Sequence, residues 1–530
     1  MTILLLALVA QSEILPSGPI GCGTAIFHRM VQATETRLAV VKKPYDPPEP
    51  GDTLTFWTWN MSVMPPTQYQ ARFLVAAKGA HCYVMVHDSV WTAGLMDSAG
   101  VARIVDRFDN SSPRDSSKGV WDHNTGVLGD PPDAIDQDSL IYLIYYNIGT
   151  FMGNTFDGFW MSFDEYYDST SMRLWGYHSN EIECVYLDCY PSNPSDDYRI
   201  AIAAHEFGHM IHWNYDQAES LWVQEGCCEL AMWLYGSPDP ISSFPGSSDN
   251  DLTRWTGSWA DYIKTYLWFL FLYEQYGGRV GNDLVRNIIE SPAVSIDGIN
   301  AGFDSVGLAV RFEDAFDQWV LANRVRDTSY FGGGYGYYGE DVPFFAVAGY
   351  HTSYPVSRSG SLDRWAGEYL LFRNALSLDL EFDGADAADF RLYLFAEDTI
   401  RHLALLDTVP LDSLQQGRIA LGGLDTLYQS VFLVPTNHTT FGTMSYQYSA
   451  EASGIFEGVR NGHEAAEPAS MLVRAGEVLR GQDGFHVVSA TGRVVVQGSD
   501  VISTGSLAPG VYYITSPEST MLPRRLVVVR

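Results

Sequence analysis

The feature that most constrains this 530-residue chain is the run I-A-I-A-A-H-E-F-G-H-M-I-H-W at residues 200–213. His205 and His209 stand four apart among apolar residues at helical spacing, so both imidazoles leave one helix face about one turn apart. Two neutral imidazoles so placed can grip one metal ion. Glu206, the next residue, then points to the side of that ion, where a carboxylate can take a proton from a metal-held water. The motif is short, but with 13 His in 530 residues chance supplies it roughly once in a hundred such chains.

Zinc held by two histidines wants a third protein ligand and one open position for water. Residues 220–235, S-L-W-V-Q-E-G-C-C-E-L-A-M-W-L-Y, supply the acids. Apolar residues at helical spacing from Cys227 on, closed by Gly236, predict a second helix with Glu225 at its start. Glu225 is well placed to return to the metal. Glu229, one turn further on the same face, could hydrogen-bond the outer nitrogen of a ligand histidine. His212 is less suited, because its Cα lies about 10 Å along the helix axis from that of His205 at 1.5 Å per residue. It is expected to pack or to support a ligand.

A formal net charge of −32 argues against nucleic acid and against an anionic membrane surface as partner. Clustered carboxylates on such a surface are compatible with Ca²⁺, although no EF-hand pattern is present. Residues 1–12 read as a signal peptide, an apolar run with a small-residue finish that lacks a positive start. No other run reaches the ~18 apolar residues needed to span a bilayer, so no transmembrane segment is expected. The six cysteines, Cys22, Cys82, Cys184, Cys189, Cys227 and Cys228, form an even count compatible with disulfides in an oxidising compartment, and Cys184 with Cys189 could close a small loop.

The expected fold class is multidomain, an α+β catalytic domain flanked by all-β sandwich domains. Residues 18–97 alternate as strands between Pro-rich breaks and read as a β-rich unit, either a pro-segment or an accessory domain. The catalytic domain is expected at 98–340. Repeated strands at 343–452 predict a β-sandwich, 453–468 a polar linker, and 469–530 a second compact β-sandwich around Thr-Gly and Pro-Gly turns.

H-E-F-G-H-M-I-H-W followed by W-V-Q-E-G resembles the gluzincin metallopeptidases, most closely the secreted bacterial hyicolysin-like and immune-inhibitor-A-like enzymes. S-N-E-I-E-C-V-Y-L at 179–187, Y-I-K-T-Y-L-W-F-L-F-L-Y-E-Q-Y-G at 262–277 and F-D-Q-W-V-L-A-N at 316–323 are similar to further elements of that group. The likeness covers roughly residues 101–338. The resemblance implies zinc bound by His205, His209 and Glu225, with Glu206 as catalytic base. Glu229 has the spacing of the third ligand in thermolysin-like enzymes, but the W-x-x-E-G context favours Glu225. Tyr262 and Tyr266, on the later aromatic helix, are candidates to polarise a scissile carbonyl, as tyrosines do in some gluzincins, against a plain role in core packing.

The strand, T-G-R turn, L-x-x-G-V-Y-Y and final basic-flanked strand of the last sixty residues resemble the C-terminal sorting domain of type IX secretion. That resemblance implies a protein of a Gram-negative bacterium, secreted or held at the cell surface after passing through the periplasm. The expected function is a secreted zinc metalloendopeptidase acting on protein or peptide substrates. The competing reading is a surface adhesin or carbohydrate-binding protein with an inactive or structural metal site, and a lesser one is a zinc hydrolase of a non-peptide ester or amide.

Overall fold

The computed structural model describes residues 22–24, 46–63, 65–151, 154–329, 334–397, 403–422, 424 and 428–455, with the backbone of strands between 471 and 529. The expected signal peptide lies outside these residues, as does nearly all of the linker at 453–468. Two compact units form, Met1–Gly246 with Leu252–Trp319 and Tyr337–Pro343, and Ser247–Asp251 with Val320–Gly336 and Phe344–Arg530. No helix among the described residues is long and apolar enough to cross a membrane.

The first unit is built on one six-stranded sheet. Its strands are β1 (Thr53–Asn60), β2 (Thr67–Lys78), β3 (Cys82–His87), β4 (Ile141–Tyr146), β5 (Gly158–Trp160) and β6 (Cys184–Asp188), in the order β1-β2-β3-β4-β6-β5. β3, β4 and β6 run parallel, while β1, β2 and β5 are antiparallel to their neighbours. The described strands of residues 18–97 therefore do not close into a domain of their own, because β3 pairs directly with β4 across the expected boundary at 97/98. The run C-Y-V-M-V-H carries the physical reason. It is buried almost throughout, as a strand interior to a parallel sheet must be, whereas an independent half-exposed sheet would alternate.

One face of this sheet holds an aromatic-rich core that includes Phe73, Tyr83, Tyr142, Ile144, Phe159 and Tyr186. The helices that carry the histidines and acids of the motif, α1 (Asp197–Tyr215) and α2 (Leu221–Tyr235), contribute nothing to that cluster, and α1 packs on β5 and β6. Helix α2 starts at Leu221 after Ser220 and ends at Gly236, whose φ of 102° is the left-handed cap that glycine adopts without strain. Glu225 thus lies in the second turn, not at the helix start. The apolar positions Trp222 and Val223 are buried and extend the helix one turn before the periodic run that begins at Cys227.

Close approach of three helices centres the unit. A Cβ on Gly208 would meet Cys228 Sγ at 3.0 Å, so glycine in the motif lets α1 lie against α2. Gly226 likewise leaves room for the ring of Phe269 on α3 (Trp259–Gln275). All six cysteines are buried free thiols. The loop suggested for Cys184 and Cys189 does not close by a disulfide, since Cys184 opens β6 and an odd spacing along an extended chain turns the two side chains to opposite faces.

In the second unit, β7 (Gly349–His351), β8 (Val356–Asp363), β9 (Leu370–Phe372), β10 (Ala375–Gly384), β11 (Phe390–Glu397), β12 (Leu403–Thr408), β13 (Gln416–Gly422), β14 (Ser430–Asn437) and β15 (Thr443–Ile455) form two sheets. Their orders are β8-β15-β10-β13 and β12-β11-β14-β9-β7. Leu380 and Tyr446 of the first sheet share one core with Leu394 and Leu433 of the second, a sandwich-like arrangement. Further along, β16 (Met471–Arg474), β17 (Phe485–Ser489), β18 (Val494–Gly498), β19 (Gly510–Thr515) and β20 (Arg524–Val529) make a separate sheet of order β16-β20-β19-β17-β18.

Candidate metal centre

Helix α1 presents His205 and His209 from adjacent turns, both buried, with their Nε2 atoms 3.3 Å apart. Helix α2 brings Glu225 to them. Its Oε2 lies 3.4 Å from His205 Nε2 and 3.8 Å from His209 Nε2. Glu229, one turn on, meets the opposite nitrogen of the same ring, with Oε1 3.2 Å from His205 Nδ1. The two acids therefore occupy different sides of His205.

The donor set fits a cation. The Glu229 carboxylate, 3.2 Å from His205 Nδ1, favours a proton on that nitrogen, and His205 Nε2 lies on the side of the second imidazole and the second carboxylate. Both Glu225 oxygens are fully buried without a hydrogen bond. Burial by itself opposes charge on His205, yet the Cys22 thiol and the Glu225 and Glu229 carboxylates raise its proton affinity well above the ordinary imidazole value, so the pocket favours a positive charge. Two ~2.05 Å metal–ligand bonds at a tetrahedral angle set their donor atoms about 3.3 Å apart, close to the separations among His205, His209 and Glu225. The spacing is compatible with one small metal ion, and His205, His209 and Glu225 are among the residues that could hold it.

Glu206 is buried beside this group. Its carboxyl is pushed up to about 7 by burial, against the lowering influence of His205 and of a hydrogen bond from Thr24. That bond runs from Thr24 Oγ1 to Glu206 Oε2 at 2.7 Å, while Glu206 Oε1 is buried without a hydrogen bond. A carboxyl poised near neutrality can take a proton and return it in one catalytic cycle.

Residues outside the expected domain complete the cluster. Cys22, His205, His209 and Glu225 offer ligand atoms that all lie within 4.8 Å of one another, and every one of the four is buried. Cys22 Sγ is 3.5 Å from His209 Nε2 and 3.6 Å from Glu206 Oε2. Sequence reasoning counted Cys22 only among possible disulfide partners. The signal available was its setting in G-C-G at 21–23, where the glycines permit close approach of the backbone, but that gives no address for the thiol.

The two tyrosine candidates separate. Tyr262, fully buried on α3, directs its hydroxyl to the Cys22 carbonyl at 3.4 Å. Tyr266 instead donates to Glu340 Oε2 at 2.7 Å. His212 is buried on α1 but contributes no atom to the converging group.

No protein-family model and no curated protein matches this chain. Among solved structures it is similar to a family GH115 4-O-methyl-alpha-glucuronidase with specificity for decorated arabinogalactans, at 10% identity and a TM-score of 0.13. That alignment covers 62% of this chain and 54% of the other, so the chain spans about half the length of that protein. At this TM-score the likeness carries no argument about fold or function.

Proposed function

We propose that this chain is a zinc-dependent metallopeptidase of gluzincin type. The observation that carries the proposal is the convergence of His205 and His209 from one helix with Glu225 from the next, beside the buried carboxyl of Glu206. Zinc held by His205, His209 and Glu225 would lower the pKa of a water toward ~7 and would polarise the carbonyl to be attacked. Glu206 accepts the proton from that water and passes it to the leaving amine. Glu229 keeps the His205 ring in the tautomer whose Nε2 lone pair faces the ligand set. Tyr262 donates its hydroxyl to the carbonyl oxygen on which negative charge develops. Protein or peptide substrates fit this chemistry. The β-rich C-terminal segment, by its resemblance to sorting domains, supports export through type IX secretion.

Metal analysis of the purified chain, combined with casein digestion with and without a chelator, tests the reading. Bound zinc with chelator-sensitive cleavage is expected, and a metal-free chain or chelator-resistant cleavage rejects it. The sandwich-like unit and the separate C-terminal sheet favour the adhesin or carbohydrate-binding reading as the second choice. A purely structural metal site, however, has no use for a buried acid such as Glu206, with one carboxyl oxygen lacking a hydrogen bond, next to its ligands.

A further inference from the structure

The segment Cys22–Gly23–Thr24 reaches the centre from a part of the chain remote from both helices. It adds to the edge strand β5: Cys22 bridges Gly158 in parallel register, and Gly23 N–H donates to Gly158 O at 2.9 Å. Trp160 N–H donates to Thr24 Oγ1 at 2.7 Å. A Cβ on Gly23 would come within 3.1 Å of Phe159 Cβ, so the backbone is seated directly on the strand. Extended peptides bind sheet edges by this kind of strand addition.

Each catalytic group then has a partner in the segment. The Cys22 thiol stands at the ligand atoms, Thr24 holds the Glu206 carboxylate, and the Cys22 carbonyl takes the Tyr262 hydroxyl. A thiolate with a ~2.3 Å zinc bond and an imidazole with a ~2.05 Å bond set sulfur and nitrogen about 3.6 Å apart, and Cys22 Sγ lies 3.5 Å from His209 Nε2.

We propose that residues 22–24 are an internal plug that inhibits the enzyme, with the Cys22 thiolate as fourth zinc ligand in the position that water needs, Thr24 masking Glu206, and the backbone occupying the β5 edge that a peptide substrate uses. The thiol loses its proton to solvent as the zinc–sulfur bond forms. When the plug leaves, that bond breaks, water takes the fourth position, and the β5 edge and Glu206 are uncovered together. This inference rests on the metallopeptidase reading above.

The test uses the full, unprocessed chain, its Cys22→Ala and Cys22→Ser variants, and Thr24→Val, each loaded with cobalt in place of zinc. The unmodified chain and Thr24→Val are expected to absorb in the near ultraviolet through thiolate-to-cobalt charge transfer, and both Cys22 variants to lack the band while keeping one equivalent of metal. Iodoacetamide is expected to leave Cys22 unmodified in the metal-loaded chain and to alkylate it after chelation, as read by peptide mass mapping. Casein cleavage by the zinc-loaded Cys22 variants should exceed that of the unmodified chain by about tenfold or more, since a plug present in over nine-tenths of molecules leaves that margin. A metal-loaded chain with no charge-transfer band, whose Cys22 alkylates equally with and without metal, overturns the plug while leaving the peptidase reading intact. A chain that binds no metal overturns both.

Discussion

Glu225 and Glu229 stand one turn apart on the same helix, yet they face different nitrogens of one imidazole, and that difference separates their roles. In the Cys22→Ala background, where His205, His209 and Glu225 are the remaining protein donors, Glu225→Ala is expected to lose zinc almost completely. Glu229→Ala should retain zinc with affinity or activity lowered about 10–100-fold, the usual cost of losing the partner that orients a ligand histidine. Metal content measured on both purified variants decides it, and a zinc-free Glu229→Ala beside a zinc-replete Glu225→Ala reverses the assignment. Glu206→Gln fills the same space but cannot accept a proton. It should keep metal and fold while cleavage of an unstructured protein disappears, and undiminished cleavage sinks the mechanism. Tyr262→Phe removes only a hydroxyl, so metal content should be unchanged and kcat should fall by about 10², typical of a lost donor to a developing oxyanion. Tyr266→Phe, whose hydroxyl is engaged by Glu340, is expected to leave kcat unchanged.

At the scale of elements, the sheet is tied to its flanking turn by a buried acid. Asp164 accepts from Asn180 N–H at 2.7 Å and from the hydroxyl of Tyr186 on β6 at 2.7 Å. Burial pushes its carboxyl up to about 6, against these hydrogen bonds. The folded state therefore holds a proton that the unfolded chain, with an ordinary pKa of ~3.9, has lost, so this group's contribution to stability falls as pH rises from about 4 to about 6. The full swing is about 3 kcal/mol for a shift of this order. Melting curves of the unmodified chain and Asp164→Asn across that interval isolate the effect, and the variant's midpoint should rise relative to the unmodified chain as pH increases. A difference that stays flat from pH 4 to 6 would show that Asp164 does not titrate there.

For the whole molecule, the described strands between residues 471 and 529 hydrogen-bond only with one another. Removing residues 471–530 therefore breaks no ladder among the described strands of the first unit or of the sandwich-like arrangement. The truncated chain is expected to bind zinc as before but to remain in the periplasm of a host with type IX secretion, and secretion as efficient as that of the full chain would reject the sorting role. The grouping of β1–β3 with β4–β6 has a similar consequence. A cut at residue 97 would split a six-stranded sheet between β3 and β4, so a chain beginning at 98 should fail to fold, as read by the loss of a cooperative melting transition.

What the sequence determined by itself is what depends on neighbours a few residues apart. The four-residue spacing of His205 and His209 puts two imidazoles on one helix face, Glu206 follows between them, and Gly236 ends the next helix, all through local backbone geometry. The strands of the sandwich-like unit were legible for the same reason, as alternation and turn residues are local signals. The partition into domains was not, because β3 and β4 are adjacent only through a parallel pairing across more than fifty residues, and a continuous apolar strand looks the same in either setting. The W-x-x-E-G context already favoured Glu225 over Glu229, but which nitrogen of His205 each acid faces depends on the packing of α1 on α2, which Gly208 makes close enough. Cys22 and Thr24 lie more than 180 positions from Glu206, and no periodicity reaches that far. Only the closed tertiary structure brings that thiol to His205, His209 and Glu225.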